Sequence, residues 1–275
     1  MLATVRRWFA KEPCRELSEA LGEASIPSFQ PAVLQVLKLL RDPNTGFAKI
    51  GEAVSMDPGL TVRVLRIVNS PAYGLRRRVD NVPHAAAILS RSGLEQLVLG
   101  VAVKRTVPTK TADRDFWRTA SRRAATARAL AERVDPSRAS LCFCGGLLQD
   151  LAVPLLAGAR DDYADVRRSA ADSGQLADLE QQHFGWSHAD VAGWLCEAWG
   201  FPDSLRRAIA GHHGAEDAPL AVQVVALVES STSDDPDAFI DAAHDRFAVR
   251  RDVVRQALAE GQELGDLLAA ALSTS

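Results

Sequence analysis

The sequence predicts an all-α fold in two lobes, and three observations carry that prediction. Apolar residues recur with a helical period of about 3.6 along nearly the whole chain, strand-type alternation is almost absent, and helix-opening and helix-closing residues fall at the ends of the periodic segments. With 275 residues, 47% hydrophobic and 24% charged, the chain can bury one large or two moderate cores, which excludes disordered and collagen-like classes.

The elements follow in order. Pro31 opens a helix where its missing N–H is harmless, and Val33, Val36, Leu37 and Leu40 make one stripe before Asp42-Pro43-Asn44 ends it. A second helix spans Phe47 to Ser55. Asp57-Pro58 supplies an N-cap followed by Pro, after which Leu60, Val64, Ile67 and Val68 line one face while Arg63 and Arg66 point elsewhere. Asn69-Ser70-Pro71 stops this helix. The next begins near Pro83 and carries Ile88, Leu89, Leu94, Leu97, Val98 and Val101, with a break expected at Ser92-Gly93.

Thr106 to Asp113, polar and Pro-containing, is the expected joint between a first lobe at 1–110 and a second at 111–275, the two being able to share a core. Helices are predicted beyond it at Asp115 to Arg133, Arg138 to Ala157, Asp162 to Ser173, Gln175 to His183, Ser187 to Ala198, Asp203 to His213 and Ala218 to Ser231. A shorter pair is expected from Asp237 to Leu272. Ser230 to Asp237 reads as an exposed acidic loop.

Composition also bounds the setting. Leu94 to Val103 and Pro219 to Val228, the densest apolar runs, stop after about ten residues, short of the roughly 18 that span a bilayer, so no membrane segment is expected. Arg6 and Arg7 precede no apolar segment, which argues against a signal peptide. Cys14, Cys142, Cys144 and Cys196 are scattered, and Cys142-x-Cys144 has the wrong spacing for a zinc knuckle, so a reducing cytoplasm is expected. The net charge of −3 hides an asymmetry: residues 1–111 hold 16 Lys/Arg against 9 Asp/Glu, the remainder 16 against 26. Arg76, Arg77, Arg78, Lys104, Arg105 and Lys110 would carry any nucleic-acid contact. No helix-turn-helix or aromatic stacking platform accompanies them, so the charge reads as a solvated face or as attraction between lobes.

Four polar positions fall on apolar stripes. Asp150 lies with Leu147, Leu151 and Pro154; His188 with Val191, Ala192 and Leu195; Glu229 with Val222, Val225 and Ala226. His212 lies with Leu205, Ala208 and Ile209, which leaves His213 about 100° round the helix. Ser187 with Asp190 reads as a capping pair. Carboxylates and imidazoles on inward faces need compensation. Two arrangements supply it: a divalent iron, manganese or zinc ion held by Asp150, His188, His212 or His213, and Glu229, or a closed cluster of mutual hydrogen bonds and ion pairs. Other chemistries lack their motifs, since no Gly-x-Gly-x-x-Gly, P-loop Lys or Gly-x-Ser-x-Gly is present. Trp186, Trp194 and Trp199 read as packing residues.

In order and spacing, Gly145 to Leu151, His188 to Gly193, Trp199-Gly200-Phe201-Pro202 and His212-His213 resemble the HD phosphohydrolase superfamily. There, a His, an adjacent His-Asp pair and further ligands hold metal that activates water on a phosphoester. Upstream, Asp57-Pro58-x-Leu60 and Asn69-Ser70-x-x-Tyr73-Gly74 resemble the first half of the HDOD domain, the HD-related output domain. The resemblance covers roughly Ile26 to Leu227 and implies a two-lobed helical architecture with a degenerate HD-like bundle, working in bacterial signalling. The sequence departs from the metal-binding pattern at three places: Gln149 replaces the His of the dyad, Thr119 stands near the expected first His, and Glu229 replaces the final Asp. An amide is a poorer donor than imidazole, so two lost imidazoles lower both affinity and activation of water.

A non-catalytic regulatory module is therefore expected, with no catalytic residue and no cofactor, acting on a signalling protein partner or a small nucleotide-like ligand. Arg63, Asn69, Tyr73, Arg76 and Gln149 are the binding candidates; Asn69 also suits a helix cap or Asx-turn and Tyr73 a packing role. The alternatives are a divergent metal-dependent phosphohydrolase acting on a nucleotide or cyclic dinucleotide, and a nucleic-acid-associated regulator.

Overall fold

Caps and prolines set the helix boundaries of the first lobe in a computed structural model that describes residues 15–22, 29–70, 75–107, 112, 114–214 and 217–272. The helices there are α1 (Arg15–Leu21), α2 (Pro31–Arg41), α3 (Phe47–Ser55), α4 (Pro58–Val68) and α5 (Val82–Thr106). Asp57 accepts the Leu60 amide at 2.9 Å and Asn81 the His84 amide at 2.9 Å, each beside a proline in the first turn. No strand occurs among the described residues.

Helix α5 is broken at Ser90 (φ 64, ψ 167), two residues before the expected Ser92-Gly93 break. The turn sends Arg91 back to the end of α2, where it donates to Leu39 O at 3.1 Å, Leu40 O at 2.9 Å and Asp42 O at 3.0 Å. Those carbonyls lack helical partners, and satisfying them offsets the local strain.

The second lobe comprises α6 (Arg114–Val134), α7 (Ala139–Leu148), α8 (Ala152–Ala159), α9 (Tyr163–Ser169), α10 (Ser173–Phe184), α11 (His188–Ala198), α12 (Asp203–Ala210), α13 (Leu220–Leu227), α14 (Pro236–Phe247) and α15 (Arg251–Leu272). The last is no short helix: it spans 22 residues and packs along α6. Small residues permit that approach, because a Cβ on Gly261 would stand 2.5 Å from Thr126 Cα and one on Gly265 2.5 Å from Arg122 Cα.

One buried cluster runs from Leu17 to Leu272 and takes in residues on both sides of position 110. Helix α1 packs on α8 and α11, while Lys104 of α5 donates to Leu272 O at 2.6 Å, so the two lobes share their core. Contrary to the sequence expectation, Val82–Thr106 and Pro136–Ala159 are long and apolar enough to cross a membrane by length and composition. Within the protein they are core elements, 61% and 72% buried, and the second is broken at Asp150.

Candidate metal and ligand site

The predicted helix from Arg138 to Ala157 is two helices, α7 and α8, separated by a turn at Gln149-Asp150-Leu151. Pro154 has no N–H to offer the Asp150 carbonyl, which accepts instead from Val153 N at 3.1 Å, one residue short of the α-helical partner. Behind this turn, α7 lies hard against α6: a Cβ on Gly146 would stand 3.0 Å from Arg123 O and 3.1 Å from Ala124 Cα. Sequence and packing together thus set Asp150 at a helix break facing α6, where the Arg123 guanidinium binds its Oδ2.

Two further elements bring histidines to the other carboxylate oxygen. Ser187 caps α11 in a reciprocal pair with Asp190, as expected from the sequence, and so fixes His188 at the first helical position. Helix α12 ends at Ala210, earlier than predicted, and Gly211 follows it where a Cβ would meet Arg207 O and Val222 Cγ1 at 3.0 Å. His212 and His213 therefore sit in a turn rather than on a helix. That corrects the expectation that His213 points about 100° away: its Nε2 lies 3.0 Å from His188 Nε2. Nε2 of His188 and Nε2 of His212 are each 3.5 Å from Asp150 Oδ1.

Outer partners orient the rings. His188 Nδ1 meets Glu180 Oε2 at 2.7 Å, and His212 Nδ1 meets Ile209 O at 2.6 Å. Glu180 and His188 are both fully buried, and Glu180 also accepts the His188 amide at 2.6 Å and the Tyr163 hydroxyl. Neither Glu180 nor Arg123 figures in the sequence-based site. Glu180 carried a signal, a carboxylate on the Leu176–Ala177 face of its helix; Arg123, one turn beyond Thr119, carried none, because only the α6–α7 approach reveals its partner.

The electrostatics follow from this crowding. Burial opposes charge on Asp150, but Arg123, His188 and His212 outweigh it and hold the carboxyl well below the usual range. Burial likewise pushes His188 down, yet its bonds to Asp150 and Glu180 prevail and raise it to about 9. His213 is lowered to about 3 by burial and by the neighbouring imidazoles, and Glu229 is raised by burial and by Asp150. The ligand nitrogens of His188, His212 and His213 lie within 4.8 Å of one another, a set that could hold a metal ion, with Asp150 Oδ1 3.5 Å from two of them; Arg123, Gln149 and Glu229 do not complete a second set.

Beside the cluster opens a cleft of about 640 Å³, walled by Arg123, His213, Glu229, Thr232 and Arg246. Glu229 is half-buried, 3.9 Å from His213 Nδ1. Gln149 does not reach the cleft: it is 1% exposed, and neither its Oε1 nor its Nε2 finds a hydrogen-bond partner. The first-lobe candidates lie elsewhere. Asn69 is tied to Leu65 O at 2.8 Å, Val79 O at 2.7 Å and Val79 N at 2.8 Å, pinning the segment after α4. Arg63 donates to Gly59 O at 3.0 Å, Arg76 is exposed, and Tyr73 lies outside the described residues. Cys142, Cys144 and Cys196 are buried, with thiols pushed up to about 12 by desolvation, which leaves them unreactive.

The comparisons agree with this architecture. A crystal structure of a candidate phosphohydrolase from Shewanella amazonensis SB2B shares the fold with a TM-score of 0.76 at 23% identity, over 92% of this chain and 98% of that one. A candidate signal transduction protein from Marinobacter aquaeolei VT8 does so with a TM-score of 0.73 at 21% identity, over 99% of this chain and 65% of that one. An uncharacterized protein of Treponema pallidum (strain Nichols) is 22% identical over 200 residues, which is 70% of this chain and 39% of that protein. Residues 26–215, which take in most of the sequence and all of the histidine cluster, match the HDOD domain, and this chain belongs to the HDOD family.

Proposed function

We propose that this chain is a regulatory module of bacterial signalling that recognises a partner or a small nucleotide-like ligand through the cleft beside His213, without turnover. The observation that carries the reading is the Arg123–Asp150 ion pair. Hydrolysis of a phosphoester at such a centre needs metal charge to polarise water and to stabilise the leaving oxygen. Here one face of Asp150 is committed to a guanidinium, and the adjacent dyad position holds a buried neutral amide. A fixed cation of this kind can hold the carboxylate in place; it cannot acidify water. The cleft, at about 640 Å³, lies within the size range of small-ligand sites and combines Arg123, Arg246 and hydroxyls with apolar wall from Ala226 and Leu227. The buried, unreactive cysteines support a reducing cytoplasmic setting.

The test is direct. Full-length protein supplied with manganese, iron or zinc is assayed against bis(p-nitrophenyl) phosphate, a cyclic dinucleotide and a nucleoside triphosphate. Rates should match those of Asp150→Asn protein. Ion-dependent turnover lost in Asp150→Asn or His188→Ala would establish the second reading, a metal-dependent phosphohydrolase, which the convergence of three imidazoles favours.

A further inference from the structure

A recess distinct from the histidine cleft lies where the two lobes meet. Ile67, Leu89 and Leu97 of the first lobe and Phe143 and Leu268 of the second give it a buried apolar lining. Gly93, just past the Ser90 bend, puts no side chain there: a Cβ on Gly93 would meet Ser90 Oγ only at 3.7 Å and Leu89 Cβ at 3.8 Å. The space open to the centres of water-sized atoms is about 40 Å³, against roughly 10–15 Å³ for a single water.

Three polar groups share that lining, and their bonding is incomplete. Ser70 Oγ is buried without a hydrogen-bond partner, although its backbone N–H donates to Ile67 O at 3.0 Å. Gln96, 3% exposed, donates to Ser92 Oγ at 3.2 Å and accepts from Arg128 Nη1 at 3.0 Å. Arg128 also donates through Nε to Glu132 at 2.8 Å, and its Nη2 has no partner among the described residues. An unpaired buried hydroxyl costs stability, and a half-buried guanidinium edge favours an oxyanion.

Apolar lining, a hydroxyl and a guanidinium edge in one small recess select a ligand that is part hydrocarbon and part oxyanion. Room for about three water-sized groups admits a chain of three or four carbons. A single guanidinium that already shares its charge with Glu132 balances one negative charge better than the nearly two of a phosphate monoester. We infer that the lobe junction binds a short aliphatic carboxylate of about butyrate size, with its carboxylate on Arg128 Nη2 and Ser70 Oγ and its chain against Leu97, Phe143 and Leu268. The bound ligand touches both lobes and stabilises their packing, because it meets this arrangement only in the folded protein. The site stands apart from the cleft beside His213, and either can be filled without the other.

The experiment titrates the full chain, isotopically labelled for NMR, with propionate, butyrate and pentanoate, and with butan-1-ol and inorganic phosphate as comparison probes. Saturable shifts of the Gly93 and Ser70 amides are expected, with dissociation constants on the order of millimolar for so few ligand atoms. Affinity should rise about fourfold per methylene up to the length that the recess holds. Butan-1-ol and phosphate should bind at least about tenfold more weakly than butyrate, and Arg128→Gln should weaken butyrate by about tenfold. Gly93→Leu, which fills the recess and favours the helix, should abolish binding without lowering the thermal midpoint. No saturable binding by any of the three carboxylates, equal affinity for butan-1-ol, tighter binding of phosphate, or unaltered affinity in folded Arg128→Gln or Gly93→Leu overturns the site. Shifts centred on His213 instead would put the carboxylate in the cleft and overturn it as well.

Discussion

Arg123, on α6, donates to Oδ2 of Asp150, 27 residues later in the turn between α7 and α8. Their side chains are 11% and 20% exposed, so the pair is shielded from much of the solvent screening that weakens surface ion pairs. It links the helix break to α6 and fixes which oxygen of Asp150 faces the histidines.

Removing one partner of a shielded pair leaves the other uncompensated. Arg123→Met should lower unfolding free energy by about 3 kcal/mol in urea titrations. Combined with Asp150→Asn, the loss should fall short of the summed single losses by at least about 1 kcal/mol. Strict additivity would show that the two side chains are not coupled.

Gln149 offers the opposite case. Its amide is buried without partners, and such a group costs about 1–3 kcal/mol to desolvate. Gln149→Leu should therefore raise the unfolding free energy, measured by urea titration, by a comparable amount. A fall would mean that the amide is engaged in solution.

Acid should weaken the first lobe through Asp57. The Arg105 side chain holds this carboxyl down at about 2 against burial, with help from the Leu60 amide. Because the folded value lies below the ordinary 3.8, the carboxylate's contribution is complete above about pH 4 and disappears as pH falls through 2. Thermal midpoints measured from pH 5 to pH 2 should drop, and Asp57→Asn should start lower and drop less. Equal slopes for the two proteins would contradict this account.

The α6–α15 seam should be intolerant of a single methyl group. Gly261→Ala places a carbon against Thr126 backbone and should cost about 1–3 kcal/mol, whereas Gly174→Ala, which meets only Asp172 Oδ1 at 3.5 Å, should change stability by less than about 1 kcal/mol. Calorimetry on the two variants separates close packing from a general effect of glycine replacement.

Much of the fold was legible in the chain. The all-helical class, the Asp57 and Ser187 caps, and the inward setting of Asp150, His188 and His212 follow from period and capping chemistry, which act within a few residues. Other features were not. The early end of α12, where Gly211 lies close to Val222, brings His213 into the cluster, and the Ser90 kink sends Arg91 to the end of α2; neither is written in the helical period.

The sequence by itself determined the all-helical class and which residues lie on buried faces. Only the tertiary structure decided who meets whom: Glu180 behind His188, Arg123 against Asp150, and His213 over His188. The reason is physical. Helical periodicity reports the side of a helix on which a residue falls, whereas the charge that residue encounters is set by glycine-permitted approaches between helices distant in sequence, such as Gly146 against Arg123 and Ala124.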